Sequence, residues 1–434
     1  MTALLDSLWL GFVGFSPCLA GLALLVVCSW SLRLHPRKVL DIGWRDLMVA
    51  FTSFTSFTRR SRDRTTLERK IGECYAPSEA SEVLVTLSVR SAFDMLLSAL
   101  ALPKNSEVLF LPGITIPGMV QLVEHHGLQP VGLDPPKPTQ MLPPKLAPFV
   151  TPRTRILVIT HLFGTIHKAG HLIREAKELG ILVVEDGAQA FMGSVLPEKR
   201  SAACPWPMGF RGHEASDVIF SSFGTIKTLT ALGGGIAQVR DAQLRGKMRE
   251  IAASWPRRSR RQRLLSIIRA ALLRILTTPI PYGIVEALIT TLGFNFDHLI
   301  VSSVRGFGKL EEIRQKPATE LLELLLWRLQ RQQMAAFKDP SMQSSVSRRC
   351  RNANVVISRL EKEGIEFVSK GDGTNSWWLL PILSDDPQGL ASEMVARGFD
   401  ATSTTTQLQR VVTAATSKEQ ALIPSSGQDS CDCM

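Results

Sequence analysis

VVEDGAQA (183–190) and DVIFSSFGTIKTLTALGGG (217–235) decide how this chain is read. The first closes an apolar run on an acid. The second follows an apolar run with Ser222, Lys227 and three glycines at 233–235. Working outward, EVLFLP (107–112), QPVGLD (129–134), RILVITHLFG (155–164), ILVVED (181–186), DVIFSSF (217–223) and GGIAQV (234–239) predict strands. These short Val/Ile/Leu runs lack polar alternation, as in strands buried on both faces of a parallel sheet. Helical patterns at 90–102, 115–127 and 168–179 separate them, which predicts a three-layer α/β domain with a mostly parallel sheet. Ligands of such sheets bind beyond the carboxyl ends of the strands. Asp186 and Ser222 stand at or near such ends, and Lys227 follows in the next loop.

Taken singly, each of these residues reads as structural, since a Lys near an acid most often makes an ion pair. Taken together they suit pyridoxal phosphate (PLP). Its aldehyde needs a lysine amine. Its pyridine nitrogen needs a carboxylate that keeps it protonated. Its phosphate needs hydroxyls and backbone N–H groups at a helix start.

At these residues the chain resembles the DegT/StrS (DnrJ-type) family of PLP-dependent, fold-type-I sugar aminotransferases. SVRSAFDMLLSAL (88–100) resembles its phosphate-cup helix, EVLFLPGITIPGMVQLVEHHGLQPVGLD (107–134) its next βαβ unit, and FVTPRTRILVITHLFGT (149–165) the segment after that. The likeness covers about 83–240 and is weaker through 330–405. It implies that Lys227 joins PLP and serves as the general base, and that Asp186 pairs with the ring nitrogen. It also implies Gln189 beside the ring and Ser222 on the phosphate, with Arg90 and Ser91 at the start of the 90–102 helix. His161 ends its strand near the site, although a strand-end histidine more often packs or caps. Val89 and Arg90 replace a Gly–Thr pair in the cup, so a cup of different backbone shape is expected. Ile116 replaces the aromatic that stacks on the ring. Asn295, in GFNF, is a weak match to the partner-subunit asparagine.

Composition bounds the rest. The 434 residues are 45% apolar and 21% charged, a globular balance that excludes disorder throughout. Seven scattered cysteines give no disulfide framework, and Cys431 and Cys433 are too sparse for a metal site. The net charge of +11 is local: +6 at 33–70 and +7 at 251–285, leaving −2 elsewhere. Both patches adjoin apolar segments, which favours a membrane surface over nucleic acid. Ser7 to Leu32 is a run of 26 uncharged residues followed by Arg33, Arg37 and Lys38. It is read as a membrane-anchoring apolar helix, with the body on the cytoplasmic side. From Arg257, Leu264, Leu265, Ile268, Ala271, Leu272, Ile275 and Leu276 fall on one helical stripe. Such a basic amphipathic helix lies in a membrane interface or covers a core.

The expected organisation is an anchor (1–32), a basic linker (33–80), a PLP-binding large domain (81–250), a basic amphipathic insert (251–300), a helical connection with a small α+β domain (301–415) and a flexible tail (416–434). In the connection, Leu321, Leu324, Leu325 and Leu329 share a helix face, and Trp377 and Trp378 are both expected in the core. The expected activity is transfer of an amino group, from glutamate, to a keto group of a nucleotide- or lipid-linked sugar, in a homodimer. Two other readings stand beside it. Relatives that dehydrate or deoxygenate sugars carry His where this chain keeps Lys227. A catalytically weak or inactive membrane-associated protein on the same scaffold would fit the departures at Val89, Ile116 and the asparagine.

Overall fold

The computed structural model describes residues 33–37, 39–55, 63–137, 139–193, 210–294, 309–338, 345–368, 373–403 and 408–411. The candidate anchor, Asn295 and the tail lie outside these residues.

Seven strands form one sheet: β1 (Val83–Thr86), β2 (Glu107–Leu111), β4 (Gln129–Gly132), β5 (Thr154–Thr160), β7 (Leu182–Asp186), β8 (Val218–Ser222) and β9 (Gly235–Val239). Their order is β1-β9-β8-β7-β5-β2-β4. Pairing is parallel from β4 through β8, while β9 runs antiparallel to both β8 and β1. The expected strands are all present. β1 was not expected: VLVT is only four residues long, too short for periodicity to separate from its surroundings. Pro130 sits in edge strand β4, where a missing N–H costs least.

Alternation along the strands builds the two faces. Val108, Phe110, Ile156, Val158, Val218 and Phe220 point into one cluster with α3 (Val89–Leu100), α4 (Pro117–His125) and α6 (Ala242–Ser254). Leu109, Leu111, Leu157, Ile159 and Val183 point into the other, with α5 (Gly170–Glu178). Three layers follow, as the apolar runs predict.

The segment expected to be a basic linker is instead part of the fold. It carries α1 (Trp44–Thr55) and α2 (Arg64–Tyr75), with Leu47, Ala50, Leu67, Ile71 and Tyr75 buried. They pack against α10 (Thr319–Lys338), whose Leu321, Leu324, Leu325 and Leu329 are buried as the leucine stripe predicts. Buried acids fix these helices to the rest of the fold. Buried Asp46 accepts from Trp327 Nε1 (3.0 Å) and Arg328 Nη1 (2.5 Å). A bidentate pair from Arg314 to buried Asp94 (2.8 Å each) ties α9 (Leu310–Ile313) to α3.

Between these lie α7 (Arg260–Leu276) and α8 (Pro279–Thr291), bent 91° to each other. The helical stripe read from the sequence is present, but its long side chains face outward. Only Ile267 and Ala270 of α7 are buried. The remaining described elements are α11 (Ser345–Lys362), α12 (Pro387–Ala396), and two short ladders. β10 (Gly373–Asn375) pairs with β6 (Thr165–His167), and β11 (Gln409–Arg410) with β3 (Ile114–Thr115).

Candidate active site

β7 and β8 are neighbours, and their carboxyl ends deliver Asp186 and the loop that carries Lys227. That loop is held by its own backbone. Lys227 N–H donates to Gly224 O (3.0 Å), Ala231 N–H to Phe223 O (3.0 Å) and Phe223 N–H to Gly234 O (2.9 Å). The Thr230 hydroxyl caps Lys227 O (2.8 Å). Leu229 sits in the left-handed region at φ 57°, and its N–H donates to Asp41 Oδ2 at 2.8 Å.

The Asp186 carboxyl is buried and accepts one backbone hydrogen bond, from Ala188 N–H (2.9 Å). Burial pushes its pKa up, against the pull of the Lys227 and His161 charges. A buried acid and an amine thus act on each other at the sheet's carboxyl edge, as the sequence predicts. Beside Asp186 in register is Thr160, whose buried hydroxyl has no hydrogen-bond partner among the described residues. Gln189 is buried as well, its Oε1 accepting from Phe163 N–H at 2.7 Å.

The Lys227 ammonium lies over the Trp378 ring, 4.1 Å from its centroid. Trp378 Nε1 in turn donates to Ile226 O (3.1 Å). Sequence reading placed both tryptophans in the core, and this holds only for Trp377, which packs with Met192, Val346 and Cys350. Trp377 is left-handed at φ 48°, so the chain turns between the two rings and sends them to different surroundings, a turn that no local pattern reports. The segment reaches the site because Gly164, at φ +90°, lets it approach. Ser376 N–H donates to Gly164 O (2.8 Å), and a Cβ on Gly164 would stand 2.7 Å from Trp378 N.

The start of α3 meets the glycine run. Gly234 N–H donates to Leu87 O (2.8 Å), and a Cβ on Gly235 would fall 2.7 Å from Val89 N. Ser88 caps the helix, accepting from Ser91 N–H (3.1 Å). Ser88 is extended (φ −164°) and Val89 enters the helix directly, so no left-handed residue is called for. Arg90 is half-buried, and burial lowers its pKa against the opposing pull of Glu312. Ser222 closes β8, its Oγ 3.5 Å from Gly224 N.

Ser91, His161 and Ile116 make their contacts within the protein. The Ser91 hydroxyl, expected to face a phosphate, donates to Ile313 O (2.8 Å) inside the fold. His161 is fully buried with both ring nitrogens engaged. Its Nε2 lies 2.9 Å from Glu185 Oε2, and its Nδ1 accepts from His167 N–H (3.1 Å). Ile116 packs against the hydrophobic cluster of α3 and α4 from the N-terminal end of α4. Glu185, on the opposite face of β7 from Asp186, gathers His161, His213 N–H (2.6 Å) and the Ser216 hydroxyl. Burial raises its pKa, but these hydrogen bonds more than offset that and hold it below the usual range.

The sequence model of the DegT/DnrJ/EryC1/StrS aminotransferase family matches residues 55–275. The chain belongs to that family. Among its curated relatives, GDP-perosamine synthase of Caulobacter vibrioides is 29% identical over 160 residues, 37% of this chain and 40% of that protein. UDP-2-acetamido-2-deoxy-3-oxo-D-glucuronate aminotransferase of Pseudomonas aeruginosa is 30% identical over 163 residues, 37% of this chain and 42% of that protein. These matches span about two-fifths of the relatives' length. The fold matches more widely. PseC of Helicobacter pylori superposes with a TM-score of 0.58 over 90% of both chains, at 13% identity. CalS13 of Micromonospora echinospora gives 0.56 over 89% of both, at 17% identity.

The residues at the carboxyl edge fit PLP. The set combines an amine, a buried carboxyl, a buried partnerless hydroxyl at Thr160, and backbone brought close at Gly164 and Gly235. A cationic ring nitrogen against Asp186 would offset the desolvation that now raises its pKa.

Proposed function

We propose that this chain is a PLP-dependent aminotransferase that moves an amino group, from glutamate, to a keto group of a nucleotide- or lipid-linked sugar, working as a homodimer. The observation that carries this is the charge of the Lys227 amine acting on the buried Asp186 carboxyl, the acid at the carboxyl end of β7 and the amine in the loop that follows β8. Bound PLP supplies an electron sink that makes a proton on the substrate's amine-bearing carbon removable.

Lys227, Asp186, Gln189, Ser222 and the Arg90 end of α3 would hold the cofactor. Asp186 would face the ring nitrogen, and a positive charge there favours its ionised form against the cost of burial. Lys227 offers an amine that binds the cofactor and, once released, carries the proton between two carbons. Trp378 limits the directions in which that amine swings, because its ring covers one side. The two curated relatives are named for nucleotide-sugar chemistry, which supports a sugar nucleotide as acceptor. Glutamate as donor and the homodimer follow the family resemblance.

The test is covalent mapping. Borohydride reduction in the presence of PLP should leave its mass on the peptide that holds Lys227, and Lys227→Ala should lose both that mass and the visible absorption. Glutamate should bleach the absorption of the unreduced protein. PLP trapped on surface lysines alone would overturn the proposal.

A further inference from the structure

The outward faces of α7 and α8 hold large apolar side chains that nothing covers among the described residues. On α7 they are Leu265, Ile268, Leu272 and Ile275; on α8, Ile280, Ile284, Leu288 and Leu292. The α8 residues recur every fourth position, and Leu288 and Leu292 are 59% and 63% exposed. Contiguous exposed apolar surface of this kind marks a partner or a membrane.

Charge decides between those two. Residues 251–285 carry seven arginines and no acid. Arg257, Arg260, Arg261 and Arg269 are exposed beside the stripe. A second copy seated on this face by two-fold symmetry would set arginines against arginines. An anionic lipid surface would meet them with opposite charge, while their long stems lie along the apolar face.

The path of the chain points the same way. Leu34 N–H donates to Pro279 O at 3.1 Å, at the break between the two helices. Leu34, which in sequence follows the uncharged run Ser7–Leu32 by two positions, is therefore fixed beside the bend. α1, which packs on α7, adds Trp44, Met48 and Phe51 as exposed apolar side chains. No single described helix is long and apolar enough to cross a membrane. The 17 residues of α7 reach about 25 Å and the 13 of α8 about 20 Å.

We infer that α7 and α8 form a docking surface for an anionic lipid bilayer. The pair lies in the headgroup region with its apolar stripes inward and its arginines at the phosphates, and the sheet stays in water.

The experiment reads the surface itself, because residues 1–32 could also hold the chain to lipid. A photo-crosslinking amino acid is placed at Leu272, at Leu288, or at Leu179 on α5's end, which is also exposed. Each full-length protein is irradiated with phosphatidylcholine vesicles, with and without phosphatidylglycerol. Lipid adducts are expected at 272 and 288 and not at 179, increased at least about tenfold by phosphatidylglycerol and weakened by salt. Ile284→Glu with Leu288→Glu should cut the adducts at 272 at least about tenfold while leaving the melting temperature unchanged. Protein–protein adducts at 272 and 288 would overturn the proposal in favour of a self-interface. So would equal lipid labelling at 179, or no lipid adducts at all.

Discussion

Replacing Asp41 with alanine removes the acceptor that holds Leu229 N–H, two residues beyond Lys227. Leu229 is left-handed at φ 57°, which costs a leucine about 1 kcal/mol. A hydrogen bond to an ionised acceptor is worth about 1.5–3 kcal/mol. The lower end applies here, since the Asp41 side chain is 31% exposed. After the substitution the loop has two choices. It can keep its shape and lose about 1.5 kcal/mol, or relax and recover about 1 kcal/mol of strain. Stability should therefore fall by about 0.5–1.5 kcal/mol in urea unfolding. PLP, which needs the native loop, must then repay about 1 kcal/mol, weakening its binding about fivefold. Arg328 keeps Asp46 as a partner, so no buried charge is stranded. Asp41→Asn retains an acceptor oxygen and should lie between the two. Visible absorbance during PLP titration reads the affinity. Unchanged affinity in Asp41→Ala, alongside the expected fall in stability, would refute the relaxation and show that the loop keeps its shape without this acceptor.

Gly164→Ala should destabilise the fold by about 2 kcal/mol or more, because the new Cβ meets Ser376 and Trp378 N at φ +90°; urea midpoints check this. His167 is buried beside His161, and burial first, then the His161 charge, depress its pKa from 6.5 to about 3. The unfolded chain then binds the extra proton first, so stability should drop by about 1.4 kcal/mol per pH unit below pH 6.5. His167→Leu should remove that slope between pH 6.5 and about 4.5, with the loss tied to depressed Glu185 appearing only as pH falls further. Deleting residues 2–32 should leave vesicle binding that salt weakens, measured by co-sedimentation. Salt-insensitive binding after the deletion would count against the arginines as the attractive element.

The sheet and its two carboxyl-edge residues were legible because parallel strands leave continuous apolar runs, and because an acid and a lysine after such runs are conspicuous. Other parts were hidden for identifiable reasons. β1 is four residues long. The role of Asp41 rests on a contact spanning 188 positions, which no local pattern reports. Ser91 and His161 have the right residue types near the right edge. Their hydrogen-bond capacity, however, goes to Ile313 and Glu185, neither of which is near in sequence. The stripe on α7 was seen, but periodicity gives a face without saying which way it points. Trp378 was misplaced because two tryptophans together look like core, whereas a left-handed turn at Trp377 sends one ring to Lys227 and the other inward.

The tie between Trp378 and the lysine loop also has a consequence for how the molecule is made. The indole lies 151 positions after Lys227, so a ribosome adding about 5–20 residues each second needs about 8–30 s to deliver it. During that interval the nascent chain exposes its reactive amine without the ring that later covers one side. Any cofactor that reaches the loop in that interval meets it before Trp378 is in place.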